Sequence, residues 1–153
     1  MTDESSGAGL RRPIQEGLFT WPSDAPRLLA SRCTACGELT FPRQQSCPAC
    51  TGRSVEEVLL STRGTLWTWT VQHFPPPPPY AGPADPATFE PMAVGYVELP
   101  EGIRVEGHLT ENDAAKLRIG MEMELVVVPF VQDEGGDTLM KFAFRPVAAP
   151  ESA

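Results

Sequence analysis

"RCTACGELTFPRQQSCPACTG", residues Arg32–Gly52, contains all four cysteines of this 153-residue chain, arranged as two Cys-x-x-Cys pairs. Cys33 and Cys36 form the first pair, and Cys47 and Cys50 form the second. Two such pairs can place four thiolates around one tetrahedral metal ion. Because four sulfurs complete the coordination sphere, no position is left for a metal-bound water. The spacing therefore predicts a structural zinc ion rather than a catalytic one.

The residues around the two pairs also suit a metal site. Gly37 directly follows the first pair and Gly52 lies two residues beyond the second, and we expect both glycines to adopt positive φ angles. Pro48 stiffens the second turn. A rubredoxin-like iron site is compatible with the same spacing, and redox-active thiols are a further alternative.

Composition and the two ends of the chain give an expected location. The longest apolar run near the C-terminal end, Leu125–Val131, is interrupted by Pro129 and is too short to cross a bilayer. Residues Met1–Gly9 are polar and lack the basic-then-apolar pattern of a secretion signal. We therefore expect no membrane segment and a cytoplasmic location in which the thiols stay reduced and do not form disulfides.

The segment before the cysteines is predicted to be a short helix over Pro13–Trp21, ended by Pro22 and Pro26. Its apolar residues recur near the spacing of one helical face: Ile14, Leu18, Phe19 and Trp21. A solitary short helix is marginal in water, so this face should dock, preferably on the core of its own domain and otherwise on a partner. The predicted organisation is a tail and helix over residues 1–26, followed by a zinc ribbon over 27–60.

Strands are predicted after the ribbon. Gly64–Phe74 alternates, with Trp67, Trp69 and Val71 on one face and Leu66 on the other. Five more elements follow: the two strands of a hairpin, a short helix with a capping-box-like start at Thr110, and two final strands. Their predicted ranges are Met92–Leu99 and Ile103–Leu109 for the hairpin, Glu111–Arg118 for the helix, and Met121–Val131 and Thr138–Arg145 for the last strands.

The order of three strands, one helix and two strands is that of a five-stranded OB-fold barrel. The sequence thus predicts a mainly β protein, with a barrel over residues 61–148 and a tail over 149–153. An open antiparallel sheet covered by one helix is the alternative.

Charge separates two classes of partner, because zinc ribbons and OB folds both commonly bind nucleic acid. The chain has a formal net charge of -8. Residues 27–53 carry four arginines against Glu38, whereas residues 61–153 carry six basic and thirteen acidic residues. Affinity for nucleic acid comes largely from neutralised phosphates, and this barrel has few cations to supply it. We therefore expect no nucleic-acid partner, although the basic ribbon could meet the few phosphates of a small ligand.

The chain lacks a recognisable catalytic constellation. All four cysteines are assigned to metal, and no serine or lysine lies in an activation motif. His73, at the end of the first predicted barrel strand, is the best candidate for contact with a substrate, and a solvated histidine is the alternative. His108 shares a polar strand face with Arg104 and Glu106, which indicates a solvated face or a partner contact. We expect no independent enzymatic activity.

A proline-rich segment, Phe74–Pro91, connects the first two predicted barrel strands and includes five consecutive prolines. Such a run favours a stiff, extended backbone, and OB folds commonly engage ligands in this loop. With Phe74, Tyr80 and Phe89, the segment would suit a protein interface. A solvent-facing loop and a proline-binding adaptor ligand, suggested by Pro77–Tyr80, are the alternatives.

Taken together, these motifs resemble an acyl-CoA-associated family of small proteins that fuse a rubredoxin-like zinc ribbon to an OB fold and accompany thiolase-like enzymes. The resemblance covers Gly17 to Val147. It is carried by the leading segment, "SRCTACGELTFPRQQSCPAC", "GTLWTWTV", "MAVGYVELPEGIRVEGHL", "LRIGMEMEL" and "FAFRPV".

The resemblance implies a non-catalytic accessory subunit of a thiolase-like or aldolase complex that stabilises its catalytic partner and helps to bind a coenzyme A thioester. In that family, such complexes take part in the degradation of lipids, steroid side chains and aromatic acids. The expected partner is a thiolase-like subunit in a hetero-oligomer, and a nucleic-acid-binding or other zinc-ribbon and OB-fold binding module is the alternative. Candidate contacts to coenzyme A are Arg32, Arg43 and Arg53, and candidate contacts to the partner or a substrate channel are Phe19, Trp21, His73, Phe74 and Tyr80.

Overall fold

The structure, a computed structural model, describes residues 9–78 and 85–147. Within these ranges the chain forms two sheets. The strands are β1 (Arg11–Pro13), β2 (Leu29–Cys33), β3 (Leu39–Thr40), β4 (Val55–Leu59), β5 (Arg63–Gln72), β6 (Met92–Glu98), β7 (Arg104–Leu109), β8 (Glu122–Gln132) and β9 (Thr138–Pro146).

The larger sheet closes into a five-stranded barrel. Strands β5, β6 and β7 form an antiparallel meander, β9 runs parallel to β7, and β8 pairs with both β9 and β5. The last pairing joins the two ends of the sheet, which removes the exposed strand edges that an open sheet would leave. The mainly β class and the five-stranded barrel predicted from the sequence are confirmed.

Alternation correctly located β5, but it wrongly placed Trp67 on the same face as Trp69 and Val71. The pairing of β5 with β6 is irregular between Leu66 and Thr68, so the strand does not alternate evenly through Trp67. Leu66 is buried in the core, whereas Trp67 is 44% exposed. Trp69 and Val71 still pack against the core from the other side of the irregularity. An extra residue in one strand moves the side chains that follow it to the opposite face of the sheet.

The predicted helix over Pro13–Trp21 is wrong. Pro13 is instead the last residue of β1, which pairs parallel with β9, and the chain continues as turns in which Gly17 has a φ of +87°. Phe19 then forms an isolated antiparallel bridge with Leu28. The backbone N–H of Ile14 donates to the carbonyl of Met140 at 2.7 Å. Pairing with a strand more than 120 residues away thus overrides the local apolar spacing, as tertiary context commonly does.

The predicted helix over Glu111–Arg118 is reduced to a single 3₁₀ turn, Ala114–Lys116. Its cap is Asp113, whose side chain accepts a hydrogen bond from the N–H of Ala115, and not Thr110 as the capping-box pattern indicated. Leu117, immediately after the turn, is buried and covers the core. The element therefore occupies the place expected of the helix between the third and fourth barrel strands, in shorter form.

The ribbon sheet and the barrel share one hydrophobic core. Strand β2 pairs antiparallel with β3 on one side and β4 on the other. Leu28 just before β2, Ala30 within β2 and Leu60 just after β4 are fully buried, in one cluster with barrel residues such as Phe144. Phe41 contacts Phe142 of β9 edge to face, with ring centroids 5.7 Å apart. A change that destabilises the ribbon should therefore also destabilise the barrel.

No helix among the described residues is long and apolar enough to cross a membrane.

Candidate metal centre and surrounding surfaces

The four cysteine sulfurs converge at the end of the ribbon sheet. Cys33 is the last residue of β2, and all four Sγ atoms lie within 4.8 Å of one another. Two of the separations, Cys33 to Cys50 and Cys36 to Cys47, are 3.6 Å. Sulfurs bound tetrahedrally to zinc at about 2.3 Å lie roughly 3.8 Å apart, so the cluster has the size that a zinc ion requires.

Each cysteine pair directs backbone amides at its first sulfur. Cys33 Sγ accepts from the N–H groups of Ala35 and Cys36 at 3.4 and 3.5 Å. Cys47 Sγ accepts equivalent bonds from Ala49 and Cys50 at 3.3 and 3.4 Å. The two turns are thus near copies of one another, and both supply positive dipoles to a sulfur that must be ionised to bind metal.

The thiol pKa values indicate that the cluster needs a cation. Hydrogen bonds from the backbone N–H groups of Cys36 and Ala35 lower the pKa of Cys33 to about 6. At Cys36 the backbone N–H of Glu38 lowers the pKa, but the neighbouring sulfurs of Cys47, Cys50 and Cys33, with some desolvation, outweigh it and raise the pKa to about 12. Four adjacent thiols cannot all ionise unless a positive ion compensates their charge, and zinc supplies that charge.

The second cysteine turn contains a strained residue that the sequence did not reveal. Gly37 has the expected positive φ, +84°, but the equivalent position after the second pair is Thr51, at +62°. Gly52, for which positive φ was predicted, is not among the residues with that conformation. A β-branched side chain is unfavourable at positive φ, so Thr51 costs stability that Gly37 does not.

Replacing Thr51 with glycine should raise the stability of the ribbon by about 1 kcal/mol, because glycine adopts positive φ without steric cost. The free energy of unfolding of the zinc-loaded protein, measured in denaturant, checks this. Ala35→Gly is the matched control, since Ala35 is exposed in the other turn and has no positive φ. That control should lose about 0.5 kcal/mol. A Thr51→Gly variant that is no more stable than the parent would contradict the strain argument.

The three arginines predicted to approach coenzyme A lie on the ribbon but in different settings. Arg32 approaches Glu56 at 4.0 Å, and Arg43 approaches Glu57 at 3.4 Å. Arg53 is exposed, and no carboxylate lies within 4.0 Å of it in the described part of the chain. Arg53 is therefore the one of the three whose guanidinium is not already engaged by an acid.

The predicted contacts to a partner or substrate channel divide into buried and exposed groups. Phe19 is only 3% exposed and packs edge to face against Trp21, whose indole N–H donates to the carbonyl of Arg11. His73 is exposed, and Phe74 is 75% exposed. Tyr80 lies outside the described residues. Phe19 thus belongs to the core, whereas His73 and Phe74 remain on the surface.

An exposed aromatic cluster on the barrel was missed by the sequence reasoning, which assigned Trp67 to a face shared with Trp69 and Val71. Trp67 contacts Tyr96 edge to face at 6.2 Å, and the guanidinium of Arg104 lies 4.0 Å from the centre of the indole ring. Arg104 also pairs with Glu98 at 3.5 Å. The signal for this cluster is an irregularity in strand pairing, which sequence alternation does not show.

Fold and metal site together define a two-part protein, a tetracysteine zinc ribbon joined to an OB barrel. Two family models match consecutive parts of the chain: the ChsH2 rubredoxin-like zinc ribbon domain over residues 23–56, and the ChsH2 C-terminal OB-fold domain over residues 57–128. The chain belongs to this family of zinc-ribbon and OB-fold proteins, also called DUF35. Its ribbon is a zinc-binding domain, as the cysteine spacing predicted.

Relatives of similar length have been described in bacteria and archaea. The chain is 34% identical to a benzoylsuccinyl-CoA thiolase subunit, BbsA, of Thauera aromatica, over 85% of each chain. It is 32% identical to a DUF35 domain-containing scaffold protein of Pyrococcus furiosus, over 82% of this chain and 87% of the relative. Among solved structures it is similar to a chain of the Ltp2-ChsH2(DUF35) aldolase, with 30% identity, a TM-score of 0.59, and coverage of 80% of this chain and 86% of that one.

Proposed function

We propose that this protein is a non-catalytic accessory subunit of a thiolase-like or aldolase complex acting on acyl-CoA thioesters, where it stabilises the catalytic partner and helps to bind the substrate. The observation that carries the proposal is the similarity along most of the chain to a subunit of a CoA-thioester thiolase and to a chain of an aldolase complex. Degradation of lipids, steroid side chains or aromatic acids is the metabolic setting we propose for it.

The inventory of side chains supports a non-catalytic role. The four cysteines are grouped for metal, and a closed tetrathiolate leaves no site for a metal-bound nucleophile. Among the described residues, His73 is exposed at the end of β5 without the base-and-orienter arrangement that acid-base catalysis uses. We therefore place the chemistry on the partner.

Exposed apolar side chains support a hetero-oligomeric partner. Phe74 leads from β5 into the proline-rich segment, and its 75% exposure is high for a large aromatic residue. Pro75 and Pro76 follow it in a stretch where the ring geometry restricts the backbone. A stiff, apolar loop loses little conformational entropy when a partner covers it, which suits a stable subunit contact.

Replacing a ribbon arginine with alanine should raise the apparent KM of the reconstituted complex for its thioester. We expect the largest effect, about tenfold, at Arg53, because a charge-assisted hydrogen bond to phosphate is worth roughly 1.5–3 kcal/mol. Effects at Arg32 and Arg43 should be smaller, since each already faces an acid. Steady-state kinetics on each variant measures this, with Arg118→Ala, an exposed arginine after the 3₁₀ turn, as the control. Unchanged KM in all three ribbon variants would remove these residues from the proposed site.

Duplex DNA or RNA should not bind at physiological salt, because the barrel is acidic and three of its arginines are already paired with carboxylates. Arg63 pairs with Glu124 at 3.1 Å, Arg145 bonds the same carboxylate, and Arg104 pairs with Glu98. A gel-shift titration against an acidic protein of similar size checks this. Salt-sensitive binding at micromolar protein would favour the alternative of a nucleic-acid-binding module.

Co-expression with a candidate thiolase-like or aldolase subunit tests the proposal physically. We expect the two chains to copurify through size-exclusion chromatography as one hetero-oligomer. A Phe74→Ala variant should weaken that complex, since it removes an exposed ring from the proposed interface. Failure of the two chains to copurify at any salt concentration would contradict the accessory-subunit proposal.

A further inference from the structure

A half-buried lysine lies in a cleft on the barrel. The chain has only two lysines, and Lys141, on β9, is one of them. The cleft has a volume of about 430 Å³ and is mostly apolar. Its apolar lining comes from the start of the chain, the proline-rich segment, β6 and β8: Ile14, Pro76, Met92, Val94 and Phe130. Lysine side chains are mostly exposed in folded proteins, so a half-buried amine in an apolar cleft is unusual.

The Lys141 amine is half-buried, and no acidic partner in the part of the chain that the structure describes lies close enough to stabilise its charged form. Lys141 Nζ contacts His108 Nδ1 and lies 4.5 Å from the centre of the Phe130 ring. Glu106, on β7 with His108, lines the same cleft, but no carboxylate of the described residues lies within 4.0 Å of Nζ. The residue opposite Lys141 on β8 is the apolar Val128. Partial burial without a counter-ion penalises an ammonium ion more than an amine.

The pKa values of Lys141 and His108 are both lowered in this cleft. Burial lowers the pKa of Lys141 to about 8. Burial, and then the charge of Lys141, lower the pKa of His108 to about 4, so the imidazole is neutral at physiological pH. A neutral imidazole can accept a hydrogen bond at Nδ1 and thereby hold the amine in place.

We propose that Lys141 is a site of covalent N-acylation, at which its side-chain amine accepts acyl groups from thioesters that reach the cleft. The neutral Nζ attacks the thioester carbonyl carbon, a C–N bond forms and the C–S bond breaks. The thiolate leaves with the electron pair of that bond and takes up the proton that the amine loses, directly or through His108. The products are an amide at Lys141 and a free thiol. The choice of thioester rests on the proposed function, whereas the reactivity of the amine rests on the cleft.

The test compares the two lysines of the same molecule. The zinc-loaded full chain is incubated at pH 8 with the acetyl thioester of N-acetylcysteamine, which lacks a nucleotide, and acetylation is quantified by peptide mass spectrometry. Lys116, exposed on the 3₁₀ turn, is the internal control. At neutral pH, the deprotonated fraction of an amine with a pKa near 8 is roughly a hundredfold larger than that of an ordinary lysine. After allowance for lower basicity and partial burial, we expect about tenfold faster acetylation at Lys141.

Two further readouts separate this inference from a merely accessible lysine. The rate at Lys141 should level off above about pH 9, because its pKa is lowered, whereas an ordinary lysine gains free amine up to pH 10 and beyond. In urea that unfolds the chain, the preference for Lys141 should disappear. Equal or faster acetylation of Lys116 in the folded protein, or a rate at Lys141 that still climbs at pH 10, would overturn the proposal. The probe carries no nucleotide and no partner is present. Failure of this inference would therefore not count against the accessory-subunit proposal.

Discussion

Removing the zinc ion is expected to unfold the cysteine ribbon and to destabilise the barrel that shares its core. Binding of structural zinc by thiolates contributes on the order of 10 kcal/mol in small zinc domains, comparable to the whole stability of a domain. Little else holds the ends of the ribbon, because β3 has two residues and the two cysteine turns are exposed apart from Cys33 and Cys47. Loss of the metal would also leave four thiols crowded within 4.8 Å.

The measurement is elemental analysis combined with thermal unfolding. We expect one equivalent of zinc in the purified protein, loss of the metal from a Cys36→Ser variant, and a lower, broader unfolding transition in that variant. Ala49→Ser, which places a hydroxyl in the second turn without removing a sulfur, is the control and should retain zinc. One equivalent of iron in place of zinc, or a Cys36→Ser variant that melts like the parent, would contradict the zinc assignment.

Replacing Phe144 with alanine should lower the free energy of unfolding by about 3–5 kcal/mol, the usual cost of removing a buried aromatic ring. Phe144 is 1% exposed on β9 and packs edge to face against Phe142, with centroids 6.1 Å apart. Phe142 in turn contacts Phe41 of the ribbon region. The three rings therefore connect the barrel to the segment between the cysteine pairs.

Phe74→Ala is the matched control, because it deletes the same ring from a position that is 75% exposed. It should change the stability of the isolated protein by less than about 0.5 kcal/mol. Urea unfolding of both variants decides the comparison. Equal losses in the two variants would contradict the burial that the structure assigns to them.

The sequence predicted the features that depend on nearby residues. Cys33, Cys36, Cys47 and Cys50 identify a metal site because the chemistry of a tetrathiolate is set by spacing within a few residues. The barrel strands were found because alternation is a local pattern, and the observed strands begin and end within two residues of the predicted ones. The order of those strands was enough to indicate the OB topology.

Features that depend on distant parts of the chain were not predicted. The segment over residues 13–21 became a strand and turns because β9 offers it an edge, and no local signal reports that edge. Trp67 faces outward because of an irregularity in its pairing with β6. The contact between His108 and Lys141 joins strands that only the parallel pairing of β7 with β9 brings together.

The central claim, that this protein serves a catalytic partner, is tested most directly by the turnover of an acyl-CoA thioester by that partner. The candidate thiolase-like or aldolase subunit is assayed alone, this protein alone, and the two together after co-expression. We predict no turnover by this protein, an insoluble or inactive partner alone, and a soluble, active complex. A partner that is fully soluble and active alone, with kinetics and stability unchanged when this protein is added, would contradict the account.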